Sequence, residues 1–292
     1  MQGVVKVKVG IDSYSYHRYF GEIYPGTPDP EKQWTLEDFL RRAKELDVDG
    51  VSLETCFFPG YDKSYMREIK AMLDEYDFER VYAWGHPGGL EAGANEVKFR
   101  EMLEHIEFAG MIGADVIRVV ASNFEYHFHP HGPQLKILSK WFKEAVKRAE
   151  NCGVRIAVEN HIDYNSEEIL SLVECVDSPY FGVTFDTGNF VRILEDPVEA
   201  IKKLAKYTFA THIKDLKFQQ GVSIKDWFLF SCTPAGTGLV DCQQIVQILS
   251  DNNYRGFLAV ETDFMHSDFG WNEDAAVELS VKELKRIIKA IA

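Results

Sequence analysis

The segment FGVTFDTGNF, which runs from Phe181 to Phe190, has the pattern of a buried strand that stops at an acid. Its first half is apolar and contains residues that favour strands, and Asp186 then precedes a Thr-Gly-Asn turn. A buried carboxylate without a partner is costly, so such a group takes up a proton or finds a counter-charge. Asp186 is therefore either a cap for the following turn or helix, or one member of a buried polar site.

Seven more segments share this apolar pattern, and most are continuous runs of the kind found in parallel strands covered on both faces. Amphipathic segments with helical spacing separate them, among them TLEDFLRRAKEL, which begins at Thr35. The predicted strands are Val4–Asp12, Gly50–Glu54, Arg80–His86, Val116–Ser122, Arg155–His161, Gly182–Asp186, Ala210–Lys214 and Gly256–Thr262.

This alternation of strands and helices predicts an α/β protein, a (β/α)8 TIM barrel that forms a single domain over residues 1–292. The alternative is an open doubly wound sheet, which usually carries a glycine-rich phosphate turn after its first strand. The first strand here leads instead into GIDSYSYHRYF, which has no GxGxxG pattern.

Composition and charge exclude several classes of protein. The net charge of −14 disfavours nucleic acid as a partner, because phosphate binding needs clustered Lys and Arg. No apolar run is long enough for a membrane span, and the N-terminus lacks a signal-peptide pattern. The five cysteines form no CxxC pair, which is typical of reduced thiols. We therefore expect a cytoplasmic protein.

The predicted strands end in ionisable residues. Because the carboxyl ends of barrel strands converge on one mouth, these side chains are expected to meet there. Eight of the nine histidines also fall at strand ends or in the loops that follow. The strand-end residues are Asp12, Glu54, His86, Glu159, His161, Asp186, His212, Lys214, Asp215, Glu261 and Asp263.

Four of these groups suit one divalent metal ion. Glu159, Asp186, His212 and Glu261 come from consecutive predicted strands, and a cation would compensate carboxylates that burial alone disfavours. Oxygen-rich ligation with one imidazole suits Mn²⁺, Mg²⁺ or Co²⁺ and can accept Zn²⁺. The alternative is that these acids form structural ion pairs with Arg118, Arg155 or Lys214.

The motifs AVENH, FDTGN, HIKD and VET, together with PAGTGLVD further along the chain, resemble the xylose-isomerase-like TIM-barrel superfamily. Its members include ketose 3-epimerases and hydroxypyruvate isomerase. The resemblance implies that Glu159, Asp186, His212 and Glu261 hold the metal. It also implies that Glu159 and Glu261 serve as general base and acid around an enediolate.

The same mouth supplies candidate substrate-binding residues. There are two departures from the ketose epimerase pattern, since Asn189 stands where those enzymes usually carry a histidine and Phe218 where they carry an arginine. Lys214 could face an enediolate oxygen or a substrate carboxylate, or could pair with a neighbouring acid. The candidate substrate-binding residues are Tyr14, His17, Glu54, His86, His161, Asn189 and Lys214.

These features favour an isomerase or epimerase that acts on an unphosphorylated keto sugar or sugar acid. The alternative is a metal-dependent lyase, either a decarboxylase or a dehydratase, of a keto sugar acid, which Lys214 and the two departures favour. A DNA repair enzyme similar to endonuclease IV and a catalytically inactive binding protein are further alternatives. A homo-oligomer stays open.

Overall fold

The computed structural model describes residues 7–291, and its central feature is a closed barrel of eight parallel strands. The predicted TIM barrel is confirmed, and each predicted strand overlaps an observed one; the part of the first prediction before Val7 lies outside the described residues. That residues 1–292 form a single domain stays a prediction. The barrel strands are β1 Lys8–Asp12, β2 Gly50–Glu54, β3 Glu79–Trp84, β4 Val116–Val120, β5 Arg155–Glu159, β6 Phe181–Asp186, β7 Thr208–Ile213 and β10 Phe257–Val260.

Helices cover the outside of the barrel and begin at identifiable caps. Thr35 and Asp38 form a capping box at the start of the first helix, as the spacing of the sequence predicts. The helix that ends at Cys152 is followed by Gly153 at a φ of 68°, a left-handed conformation that glycine adopts without strain. The helices are α1 Leu36–Glu45, α2 Lys63–Glu75, α3 Glu96–Met111, α4 His131–Cys152, α5 Ser166–Val176, α6 Thr187–Arg192, α7 Pro197–Leu204, α8 Cys242–Asp251 and α9 Glu273–Ile291.

Phe257 occupies the barrel interior near its amino-terminal end. Phe257 packs there with Val81, Val116 and Ala259, and its ring lies against the backbones of β1 and β2. A Cβ atom added to Gly10 or Gly50 would lie 2.2 or 2.4 Å from that ring. The barrel interior is therefore apolar around Phe257, and a cavity of about 690 Å³ with charged residues such as Lys8, Glu79 and Arg155 in its wall opens on this side. The predicted ligands lie at the opposite mouth.

A short hairpin follows the seventh barrel strand, in a segment where the sequence pattern predicts no strand. It consists of β8 Asp215–Phe218 and β9 Phe230–Thr233, paired antiparallel, and the loop between them carries Trp227. Leu216 and Cys232 anchor the hairpin in a small buried cluster. Among the helices of residues 7–291, none is both long and apolar enough to cross a membrane.

Candidate metal centre and the adjoining cavity

The four predicted metal ligands meet at the carboxyl mouth of the barrel. One ligand atom each from Glu159, Asp186, His212 and Glu261 lies within 4.8 Å of the other three, and all four residues are buried. The ring nitrogen Nδ1 of His212 is 3.1 Å from Glu159 Oε1, 2.9 Å from Glu261 Oε2 and 3.7 Å from Asp186 Oδ2. The barrel register explains this, since Asp186 pairs directly with His212 across β6 and β7.

The chemistry of this cluster fits a divalent cation. Glu159 Oε2, Asp186 Oδ2 and Glu261 Oε2 are buried, and none accepts a hydrogen bond from any described residue. Carboxylate oxygens in this condition are expensive unless positive charges compensate them. Arg118 lies 3.1 Å from the Glu159 oxygen and Lys214 lies 3.1 Å from the Asp186 and Glu261 oxygens, so two cations face three carboxylates. Three carboxylates and one imidazole form the oxygen-rich donor set that Mg²⁺ and Mn²⁺ accept. The cluster could therefore bind one divalent metal ion.

Asp186 combines both roles that its position in the sequence leaves open. Its Oδ1 accepts a hydrogen bond of 2.8 Å from the backbone N–H of Asn189, so the carboxylate caps α6. Its Oδ2 belongs to the ligand cluster. Capping and participation in the cluster are therefore compatible in one side chain.

Asp12 lies next to the cluster histidine, and the sequence predicts only that Asp12 stands at a strand end. Its Oδ2 lies 3.3 Å from His212 Nε2, so the carboxylate sits behind the nitrogen that faces away from the other ligands. Such a partner is common behind ligand histidines and sets the ring orientation. Burial alone would lower the pKa of His212, but Glu261 and Glu159 outweigh burial and raise it well above its usual value.

Arg118 on β4 contacts the cluster from the interior of the barrel. Its Nε lies 3.1 Å from Glu159 Oε2, and its Nη2 is in close contact with Glu54 Oε1. Burial opposes ionisation of Glu159, yet Arg118 and His212 outweigh burial and lower the pKa of Glu159 to about 2. The ion pair between Arg118 and Glu159, weighed as an alternative to metal binding, thus occurs within the cluster.

A cavity of about 480 Å³ opens beside the cluster. Of the predicted substrate-binding residues, His17 does not reach it, because the backbone oxygens of Glu22 and Asp263 lie 2.6 and 3.3 Å from its two ring nitrogens. Glu261 lines the cavity as well. The other six predicted substrate-binding residues, Tyr14, Glu54, His86, His161, Asn189 and Lys214, all line it.

Several residues of the cavity wall carry no signal in the sequence. Glu22 accepts a hydrogen bond of 2.9 Å from the Tyr14 hydroxyl and lies 2.7 Å from His86 Nε2. Arg192 stacks over the Trp227 ring, 4.8 Å from its centroid. These residues come from loops, the hairpin connection and a short helix, so neither periodicity nor strand position marks them.

Three proteins that are similar to this chain carry the names of enzymes that act on sugars or related compounds. The chain is 26% identical over 259 residues to an inosose dehydratase from Clostridium perfringens, a match that covers 79% of this chain and 87% of that protein. It is 33% identical over 167 residues to a 3-oxo-isoapionate decarboxylase from Pectobacterium atrosepticum, covering 56% of this chain and 57% of that protein. Its fold is similar to that of an L-ribulose 3-epimerase structure, with a TM-score of 0.72 and 14% identity, over 98% of this chain and 95% of the other.

Similarity to one family extends beyond the motifs at the strand ends and covers most of the sequence. The sequence profile of the xylose isomerase-like TIM barrel family matches residues 40–289. The match spans β2 to α9, so it includes all four cluster residues. The chain belongs to the xylose isomerase-like TIM barrel family.

Proposed function

We propose that the protein is a divalent-metal-dependent lyase that removes water or CO₂ from an unphosphorylated keto sugar or keto sugar acid. The observation that carries the metal dependence is the buried cluster of Glu159, Asp186, His212 and Glu261, whose three carboxylates and one imidazole bring four ligand atoms within 4.8 Å of one another. A bound divalent cation would supply Lewis acidity to the substrate's carbonyl group.

The two glutamates of the cluster differ in what they face. Glu261 lines the cavity, so its carboxylate can take a proton from a bound substrate or return one to it. Glu159 is not among the described residues that line the cavity, and its carboxylate instead contacts Arg118 and His212. Glu261 is therefore the group that we propose for proton transfer, whereas an epimerase needs a group on each face of the substrate.

Lys214 supplies a positive charge on the cavity side. Its ammonium lines the cavity and lies 3.1 Å from Glu261 Oε2. A cation in this place can stabilise negative charge that develops on a substrate oxygen, either an enolate or a carboxylate. Tyr14, His86, His161 and Asn189 offer hydrogen-bonding groups on the same wall, as sugar recognition requires.

The sequence relatives support the same reaction class. Both named relatives are lyases, a dehydratase and a decarboxylase. Loss of water and loss of CO₂ from a keto compound share an enolate-like intermediate, so one kind of site can serve either reaction. The choice between them is left to the experiment below.

An isomerase or epimerase is the second candidate, and one observation favours it. Glu159 and Glu261 both belong to the cluster, which is the pair that inversion of a carbon centre would use. An epimerase would require the Glu159 carboxylate to leave Arg118 and face the substrate. Asn189 and Phe218, which replace the histidine and arginine of the ketose epimerases, count against it.

The proposal is tested by product analysis in heavy water. Purified protein with Mn²⁺ or Mg²⁺ is incubated with a panel of neutral keto sugars and keto sugar acids, and products are followed by NMR and by CO₂ release. A lyase yields a dehydrated or decarboxylated product, and protein stripped of metal by a chelator yields none. Formation of a deuterated epimer or isomer without loss of water or CO₂ would make the second candidate the function.

A further inference from the structure

Lys214 lies among three buried carboxylates, two of which belong to the ligand cluster. Its Nζ is 3.1 Å from Asp186 Oδ2, 3.1 Å from Glu261 Oε2 and 3.0 Å from Asp263 Oδ2. The first two oxygens are among those that lack hydrogen bonds from described residues. The ammonium and a metal ion would therefore both contact the same two oxygens, Asp186 Oδ2 and Glu261 Oε2.

Asp263 is the one carboxylate of these three that does not belong to the ligand cluster. It is held firmly, since Arg192 binds both of its oxygens at 2.6 and 2.7 Å and the Cys232 thiol donates to Oδ1 at 3.0 Å. Arg192 is itself braced by Asn189 Oδ1 and by the backbone oxygen of Phe230 on the hairpin. The position of Asp263 is thus set by partners that do not depend on a metal.

We propose that Asp263 is a positioning residue that gives the Lys214 ammonium a partner beside the metal centre. This inference rests on the proposed metal-dependent function. A divalent cation bound by Asp186 and Glu261 repels the Lys214 ammonium, because like charges a few ångströms apart in a buried site interact strongly. Asp263 is not one of the predicted ligands, so its negative charge stays next to Lys214 when the metal binds. The lysine and the metal can therefore occupy the site together.

The two residues therefore have opposite effects on metal binding. Lys214 weakens binding, because its charge repels the cation and competes for two of the ligand oxygens. Asp263 relieves this cost while the lysine is present, in addition to any direct attraction between its carboxylate and the cation. If Asp263 acted only through packing, its loss would weaken metal binding to the same degree with or without Lys214.

The experiment measures Mn²⁺ affinity by titration calorimetry for the wild type, Lys214→Met, Asp263→Asn and the double variant. Lys214→Met should bind Mn²⁺ about tenfold more tightly or better, given the strength of a unit charge close to a divalent ion. Asp263→Asn should bind about tenfold more weakly. In the Lys214→Met background, Asp263→Asn should weaken binding by clearly less than in the wild type, because only the direct attraction between Asp263 and the cation is lost there. The difference between the two effects is the coupling between Asp263 and Lys214.

Matched controls use residues of the same types outside the cavity, a half-buried lysine and an exposed aspartate. Lys217→Met on β8 and Asp268→Asn remove the same charges, and each should leave Mn²⁺ affinity unchanged. Circular dichroism shows whether each variant is folded. If Asp263→Asn does not fold, Lys214→Met alone still decides, because unchanged or weaker Mn²⁺ binding by it overturns the inference.

The outcomes separate this inference from the function on which it rests. A wild-type protein that binds no Mn²⁺, Mg²⁺ or Co²⁺ would remove the metal-dependent function and this inference with it. Normal metal binding with equal effects of Asp263→Asn in both backgrounds would leave the function standing and reject the positioning role.

Discussion

At the scale of single residues, Asp186 shows how one side chain can serve local structure and a buried site. Its two oxygens face different partners, a backbone N–H of α6 and the ligand cluster. A substitution can separate these roles, because asparagine caps helices as well as aspartate does but carries no charge.

Asp186→Asn is therefore expected to keep the fold and lose metal affinity. Replacement of an outer partner of a metal ligand typically costs about 10–100-fold in affinity, so loss of an anionic ligand should cost ~100-fold or more. Metal analysis after dialysis and calorimetry with Mn²⁺ measure this effect. Asp196→Asn, which alters the cap of α7 in the same way, is the matched control and should retain full metal content.

The two glutamates are expected to differ once metal binding is saturated. Glu261→Gln removes the carboxylate on the cavity side, and at saturating Mn²⁺ it should still lose about 10²–10⁴-fold in kcat, because an amide is a poor base. Glu159→Gln should recover most of its kcat when metal is in excess. Equal, unrecovered losses in both variants would point to proton transfer by both groups, as in an epimerase.

At the scale of elements, the packing of Phe257 in the barrel interior depends on two glycines that face its ring. Gly10 on β1 and Gly50 on β2 leave room for Phe257 of β10, and an added Cβ would overlap the ring. The close approach of these three strands is thus a packing requirement that alanine cannot meet without movement.

Gly50→Ala should lower the free energy of unfolding by about 1–3 kcal/mol, the usual cost of overpacking. Urea denaturation followed by fluorescence measures it. In a Phe257→Leu background the same substitution should cost less, because the ring atoms that it meets are gone. An undiminished cost there would show that contact with the ring is not the cause.

At the scale of the whole molecule, the net charge of −14 is the dominant feature. A DNA duplex with an abasic site should be neither bound at physiological salt nor cut in the presence of Mn²⁺, since phosphate binding needs a basic surface. Gel shift and incision assays check this. Metal-dependent incision above the background of the Asp186→Asn variant would revive the endonuclease alternative. The cytoplasmic location stays a prediction.

The sequence by itself determined the barrel and the four residues of the ligand cluster. Buried parallel strands are continuous apolar runs, so their number and order can be read locally, and their carboxyl ends must share one mouth. Asp186 and His212 needed only to be at strand ends to be brought together. Glu22 and Trp227 carry no such mark, because loop conformation does not follow from a periodic pattern.

Only the tertiary structure decided what each charged group faces. Glu159 and Glu261 both stand at the carboxyl ends of predicted strands, so the sequence does not distinguish them. In the structure, however, Glu159 pairs with Arg118 and Glu261 lines the cavity. His17 lies at the mouth, but both its nitrogens are turned to backbone oxygens. The physical reason is that the partner of a buried charge is set by groups distant in sequence that barrel closure brings within a few ångströms, and these distances are not encoded in any local pattern.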